Sequence, residues 1–279
     1  MGSRRIGKRR IRSLQDAKQS ASDEWGLVRP AAIACAGLSR AIKSVQLGQM
    51  HGFGIEDLSD TPAEDATTAL WVRDTDNSAA IATVSNDADF TDGAFSITTG
   101  GTGGHQTAVG TNTAPWKCTT GKPWWVEAVI KLADHDATEF FFGLTETDIN
   151  ADSFHLAAAG ASADRIGFVK AAHNADAVTF ACSANAAGTI STAFDTAIAY
   201  DTDNDQLGMG IHWDGAGSIH FYNSAVTATG TELGAWTKNT SVSAGVPTDS
   251  SLSLCLLLET GEGSTKTAVV NYIRGAWTV

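Results

Sequence analysis

From about residue 64 onward the chain reads as short apolar runs separated by turn signals. The spacing predicts strands at Leu70–Val72, Ala79–Val84, Ala94–Thr98, Trp124–Leu132, Glu139–Leu144, Arg165–Lys170, Ala177–Cys182, Gln206–Trp213, Ser218–Tyr222, Ser253–Leu258 and Lys266–Arg274. The intervening stretches are rich in Gly, Asn, Asp and Thr, most densely at Gly100–Gly104. Two segments alternate with the period of two that a strand imposes. Trp125, Glu127, Val129 and Lys131 oppose Val126, Ala128, Ile130 and Leu132, and Ile219 and Phe221 oppose Ser218, His220 and Tyr222. Asp214-Gly215-Ala216-Gly217 has the composition of a tight hairpin joining two of these strands, which sets His212 and His220 facing each other across it. Many short strands at this spacing imply an all-β sandwich or barrel. No internal repeat is visible.

The pattern upstream is different. Residues 1–22 read as a basic arm in which Arg4, Arg5, Lys8, Arg9, Arg10 and Arg12 are interleaved with Ile6, Ile11 and Leu14. Arg5, Lys8, Arg9 and Arg12 share a face at helical spacing, so the arm suits a short helix once docked, although a helix that short is marginal alone. Residues 23–60 form a connecting segment of mixed character: Asp23-Glu24-Trp25 and Pro30 mark turns, and Ala31–Val45 is compatible with a small helix or with a pair of short strands. Residues 61–279 form the sandwich.

Charge sharpens this division. The chain carries a net −12, yet residues 1–43 hold ten basic residues against three acidic ones, a net +7, which leaves −19 on the remainder. The cationic strap suits an acidic protein surface or nucleic acid, but the anionic body would repel nucleic acid, so DNA binding through the sandwich is not expected. With 43% apolar and 18% charged residues the composition is that of a globular chain with a substantial core, not of a disordered one. Cys35, Cys118, Cys182 and Cys255 are far apart, with no C-x-x-C and no histidine at zinc-ligand spacing, and are expected as reduced, small apolar residues in a reducing cytoplasm. Asp23, Glu24 and Arg29 interrupt the approach to Ala31–Ala36, so no secretory signal is expected, and no apolar run reaches the length of a membrane span.

The strand-rich region resembles the concanavalin A-like jelly-roll domains found in virion proteins of tailed phages, notably marine ones. The resemblance rests on an ordered series: Gly93–Gly100 (GAFSITTG), Pro123–Leu132 (PWWVEAVIKL), Phe140–Asp148 (FFFGLTETD), Asp164–Lys170 (DRIGFVK), Gln206–Gly215 (QLGMGIHWDG), Ser218–Asn223 (SIHFYN) and Val269–Arg274 (VVNYIR). The start Met1–Arg10 (MGSRRIGKRR) also resembles the opening of structural proteins from such phages. The resemblance implies a jelly-roll fold and a multi-copy component of the particle, a capsid decoration or accessory protein assembled in the host cytoplasm. Its partners would be the major capsid protein or neighbouring subunits, and the arm residues Arg4 through Leu14 would supply the contact.

The same fold also raises an enzymatic reading. Related jelly-roll glycosidases carry a Glu-x-Asp-x-x-Glu pattern on one strand, which places two carboxylates on one face of a sugar cleft with a third acid to donate a proton. Here Glu146-Thr147-Asp148 fills the first two places, and Ala151 stands where the third acid belongs; starting from Glu127, Val129 and Leu132 stand at the other two. The chain is therefore expected not to be an enzyme. Asp201, Asp203 and Asp205 resemble the start of a calcium loop, but Gln206 and His212 occupy the positions where an EF-hand would place Gly and Glu, so the alternative is a polar turn and no cofactor is required. The tryptophans Trp116, Trp124, Trp125, Trp213, Trp236 and Trp277 suit core anchors, with stacking on sugar rings as the minority use. A lectin-like module for host adhesion is the alternative to a structural role. A third reading, an internal protein whose arm touches packaged DNA, requires steep salt dependence.

Overall fold

A computed structural model describes residues 53–57, 63–64, 71–75, 80–82, 95–111, 114, 116–146, 164–170, 178–180, 196–198, 203, 205–224 and 236–278. The strands before residue 95 and those at 178–180 and 196–198 are described by their backbone only, as are residues 95, 272, 274 and 276–278. The arm and Ala31–Val45 lie outside the described residues. Sixteen strands are described: β1 (Phe53–Asp57), β2 (Ala63–Glu64), β3 (Trp71–Thr75), β4 (Ala80–Ala82), β5 (Phe95–Thr98), β6 (Gln106–Thr111), β7 (Trp124–Leu132), β8 (Thr138–Thr145), β9 (Arg165–Lys170), β10 (Val178–Phe180), β11 (Thr196–Ile198), β12 (Gln206–Trp213), β13 (Ile219–Ser224), β14 (Trp236–Val242), β15 (Ser253–Thr260) and β16 (Thr267–Thr278). No helix occurs among the described residues.

The strands build the expected all-β jelly roll as two antiparallel sheets. The larger has eight strands in the order β14-β13-β12-β7-β16-β5-β4, with β1 also paired to β16, and the smaller has six in the order β2-β3-β6-β15-β8-β9. Among the described residues, only the short β2–β3 pairing is parallel. The core lies between the sheets. From the larger sheet it takes Trp124, Val126, Ala128, Ile130 and Leu132 of β7 with Leu207, Met209 and Ile211 of β12. From the smaller it takes Phe140, Phe142 and Leu144 of β8 with Leu254, Leu256 and Leu258 of β15. Phe168 of β9 meets Phe221 of β13 edge to face at 5.3 Å, an aromatic contact across the layers. Each such side chain contributes about 1.5–3 kcal/mol by leaving water.

The strands at 124–132, 165–170 and 206–213 fall where the sequence predicts. Others differ in extent. β16 runs on to Thr278, because β7 pairs along it on one side and β5 and β1 share the other. β1 brings residues of the connecting segment into the larger sheet. β6 and β14 are additional strands. β6 is composed of small residues and is held by β3 and β15 on either side; β14 is a polar edge strand beyond β13. The two alternating segments differ: all nine residues of β7 are buried, its outward side chains included, whereas the outward His220 of β13 is only partly buried.

Candidate functional site

The ends of the sandwich carry different chemistry. At the pole holding the β12–β13 hairpin, Trp124 pairs in register with Trp213 and Trp277, and Trp116 bridges to Leu252. Trp116, Trp124 and Trp213 belong to the core, as expected, and the Trp213 indole N–H donates to the Thr119 carbonyl at 3.1 Å. The hairpin is organised by Asp214, whose Oδ1 accepts the backbone N–H groups of Ala216, Gly217 and Ser218 at 2.7–3.0 Å. Gly215 and Gly217 have φ of 71° and 128°, conformations that favour glycine. Burial works against the Asp214 carboxylate, but these three donors and nearby His220 outweigh it and hold its pKa below the usual value.

Trp125 and His212 share the outer face of the larger sheet at this pole. Their rings stack at 4.9 Å with planes 7° apart, and His220 lies 5.6 Å beyond His212. Trp125 is 8% exposed and His212 9%, so only their edges reach solvent. Neither Trp125 Nε1 nor His212 Nδ1 has a hydrogen-bond partner among the described residues. Burial, aided by His220, lowers the His212 pKa to about 4, so the ring is neutral at physiological pH. His220 hydrogen-bonds Ser241 at 2.8 Å and lies 3.5 Å from Asp214 Oδ2, and its pKa is lowered by burial and by Lys238. This is the facing histidine pair that the hairpin predicts. Further along the face stand Glu127, fully buried, then Val129 and Lys131; Gly208 lies beneath Trp236, whose ring would be 2.6 Å from a Cβ there.

The opposite pole is ionic. In the β7–β8 turn, His135 donates its backbone N–H to Asp203 Oδ1 at 2.9 Å; its Nδ1 lies 2.9 Å from the same oxygen and its Nε2 2.8 Å from Asp136 Oδ1. Lys266 Nζ reaches Asp134 Oδ2 and Glu262 Oε1, each at 2.6 Å. The Lys266 hydrogen bond holds the Asp134 pKa low, and the Glu262 pKa is lowered chiefly by the same bond. For Lys266 itself burial acts downward, and the two carboxylates together outweigh it and raise the pKa. Lys170, the last residue of β9, donates to the carbonyls of His135, Asp136 and Thr138. On the outer face of the smaller sheet, Gln106, Glu259 and Glu139 stand side by side on β6, β15 and β8.

Of the candidate cation ligands, Asp203 is engaged by His135, Asp205 is partly buried, and Asp201 lies outside the described residues. Among the described residues no group of three His, Cys, Asp or Glu is placed to hold a metal ion. Glu146 sits exposed past the end of β8, accepting the Asp164 N–H at 3.3 Å, and Asp148 lies outside the described residues. Cys118 and Cys255 are free and buried; burial pushes the Cys118 thiol up to about 12 despite an opposing contact from Trp124. Every arm residue from Arg4 to Leu14 lies outside the described residues. The Gln106–Glu259–Glu139 row is missed by sequence reasoning, since each acid looks like an ordinary strand end and only the register joins them.

The sequence matches no protein-family model and no curated protein. Solved structures do resemble the fold. A protein of unknown function from Shewanella oneidensis MR-1 superposes over 85% of this chain and 94% of its own, with a TM-score of 0.56 at 11% identity. Arcelin-5, a lectin-like defence protein from Phaseolus vulgaris, covers 81% of this chain and 99% of its own, with a TM-score of 0.55 at 9% identity. Peanut lectin covers 81% and 97%, with a TM-score of 0.52 at 11% identity. At such identities the likeness is one of fold: a concanavalin A-like, lectin-type jelly roll.

Proposed function

We propose that this chain is a non-enzymatic structural component of a tailed-phage particle, a capsid decoration or cement protein present in many copies and tethered by its basic arm to the major capsid protein or a neighbouring subunit. The reading is carried by the partition of charge, a +7 leader on a −19 body, in a chain whose ordered phage-like motifs fall on strands of both sheets. Charge-assisted contacts from Arg4, Arg5, Arg9, Arg10 and Arg12 supply attraction, and burial of Ile6, Ile11 and Leu14 sets the register. Assembly takes place in the host cytoplasm, without a membrane or nucleic-acid partner and without a required cofactor. A non-enzymatic role agrees with β7, where Val129 and Lys131 follow Glu127 on the outer face of the larger sheet. A retaining glycosidase needs two carboxyl groups about 5–5.5 Å apart. Removing residues 1–22 should leave the sandwich folded and empty the particle of this protein; full occupancy of the truncated chain in purified virions would refute the tether.

One observation favours a second reading, a lectin-like module that binds host glycans. The Trp125 and His212 rings stack at 4.9 Å on the outer face of a lectin-type sheet, and each keeps a small part of its surface open. An aromatic ring on an outer sheet face is a surface on which a sugar ring can stack. A glycan array probed with the full chain and with Trp125→Ala tests it: signal lost on substitution supports binding, and an array without signal removes the reading.

A further inference from the structure

The row that begins with the Trp125–His212 stack does not end at His220. Strand register sets Trp125 of β7 opposite His212 of β12, His212 opposite His220 of β13, and His220 opposite Ser241 of β14, so all four share the outer face. Exposure rises along the row: Trp125 and His212 are buried, His220 is partly buried, and Ser241, on the polar edge strand, is exposed. At its outer end the two nitrogens of His220 meet different groups. Nδ1 lies 2.8 Å from Ser241 Oγ, and Nε2 lies 3.5 Å from Asp214 Oδ2. Asp214 is held in place by the hairpin, whose three backbone N–H groups donate to its Oδ1. A carboxylate facing Nε2 selects the tautomer with its proton on that atom, which leaves Nδ1 to accept the Ser241 hydroxyl proton. The 3.5 Å separation is long for a hydrogen bond, as contacts of this kind often are before a substrate tightens them. The His212 ring, 5.6 Å away and itself stacked on Trp125, backs the His220 ring.

We propose that Ser241 is an activated nucleophile, with His220 as its base and Asp214 as the positioning residue behind that base, and that the site takes an acyl group from a carboxylic ester. Hydroxyl, imidazole and carboxylate stand in the order that acyl transfer needs, and such a constellation is recognised by geometry and roles, not by the order of its members in the chain. Ser241 Oγ attacks the ester carbonyl and its proton passes to His220 Nδ1. The bond from the acyl carbon to the alcohol oxygen then breaks, and the proton leaves on that alcohol. The imidazolium formed on the way is met by the Asp214 carboxylate. Charge developing on the carbonyl oxygen has two sources of support. Lys238, exposed on β14, is close enough to act on both histidines. β14 has no further strand beside it among the described residues, so Ser241 or its two neighbours turn a backbone N–H away from β13. Burial and Lys238 lower the His220 pKa against the pull of Asp214, which keeps the ring neutral at neutral pH, as a base must be. One acylation per chain is a covalent attachment and not turnover, so the inference goes beyond the tethered structural role and does not depend on the arm.

p-Nitrophenyl acetate offered to the full chain tests this. Near neutral pH about one equivalent of p-nitrophenol should be released in a burst, and peptide mass mapping should find the acetyl group on Ser241. Ser241→Ala should abolish the burst, and His220→Gln should slow acetylation of Ser241 by about a hundredfold or more. The pH profile separates a working base from a merely structural contact. The groups facing His220 are His212, Asp214, Lys238 and Ser241. Asp214→Asn keeps an oxygen for the hairpin N–H groups but removes the charge that raises the His220 pKa, so the acid limb of the acetylation rate should move to lower pH; Lys238→Ala should move it to higher pH. Acetyl groups found on lysines with Ser241 unmodified overturn the proposal, as does Ser241 acetylated as fast in His220→Gln as in the wild type. A limb that neither variant moves overturns the part given to Asp214. Release that continues after the burst would keep the nucleophile and refute the non-enzymatic reading, so the two failures are told apart.

Discussion

At one end of the sandwich Trp116, Trp124 and Trp213 close the core, and Trp125 stacks on a neutral His212. At the other end Lys170 and Lys266 gather carbonyls and carboxylates, and His135 sits between Asp136 and Asp203. Both ends must satisfy the backbone groups released where strands stop and turns begin. The aromatic pole does so with a short hairpin, leaving large rings to exclude water. The ionic pole does so with charged side chains that reach over the strand ends. Stability is therefore expected to be concentrated at the first pole, where Trp116, Trp124 and Trp213 are buried. The second retains groups able to meet a charged partner, because Asp134, Glu262 and Asp203 are about half exposed, at 41%, 50% and 53%.

The largest effect that tests this contrast is truncation at the aromatic pole. Trp124→Ala removes a fully buried indole from between Trp213 and Trp277 in the register and should cost about 3–5 kcal/mol in urea unfolding. A cost below about 1 kcal/mol would mean that this end is not where the core is sealed.

Acid distinguishes the poles next. His212 has a folded pKa near 4, below its ordinary 6.5, so the unfolded chain binds the extra proton first. Stability is then complete above about pH 6.5 and declines as pH falls toward 4, by up to about 3 kcal/mol in total. His220, also lowered, adds in the same direction. The depressed carboxylates of the ionic pole, Asp134 and Glu262, lose their contribution only below the ordinary carboxylate range. Unfolding midpoints measured between pH 7 and 5 should therefore fall in the wild type and flatten in His212→Phe, which keeps a ring against Trp125. An equal slope in both would detach the histidine from the effect.

How far these poles can be seen in the sequence depends on how local their signals are. β7, β9 and β12 are legible to the residue, because aromatic and branched side chains run between sharp turn signals. The His212–His220 pair follows from a hairpin whose Asp214 and two glycines are adjacent in the chain. β6 escapes notice because Gln106–Thr111 is built of small residues, and β14 because Trp236–Val242 is polar and half exposed; both become strands through their neighbours, not through intrinsic preference. The row Gln106–Glu259–Glu139 is invisible for a deeper reason: it exists only in the register of three strands far apart in sequence. The basic arm is plain in the sequence and lies outside the described residues.

At the ionic pole the larger of two effects belongs to Lys170. Its side chain is buried and the ammonium donates to the carbonyls of His135, Asp136 and Thr138. Lys170→Met keeps the stem packed but removes those donors, at about 1–3 kcal/mol. Part of the loss is returned, because burial already disfavours the charged amine and lowers its pKa. A cost matching that of Trp124→Ala would erase the contrast between the poles.

The smallest effect is the most diagnostic. Lys266 looks like a stabilising centre, 3% exposed at its side chain with two carboxylates at 2.6 Å, yet those carboxylates are solvated and keep water when the lysine is removed. No buried charge is orphaned, so the penalty that makes broken buried pairs expensive does not arise. The backbone N–H of Lys266 still donates to Thr99 Oγ1, and methionine retains the apolar stem. Lys266→Met should therefore cost at most about 1 kcal/mol at neutral pH, a cost that shrinks in high salt. The acid limb carries the signature. Asp134 has its pKa held down by Lys266, so its contribution is present above the unfolded value and lost as pH falls through the folded one; without the lysine the curve below about pH 4 should flatten. A variant several kcal/mol less stable, with an unchanged acid limb, would show Lys266 acting through packing instead of charge, and the ionic pole would then be sealed by burial as its opposite is.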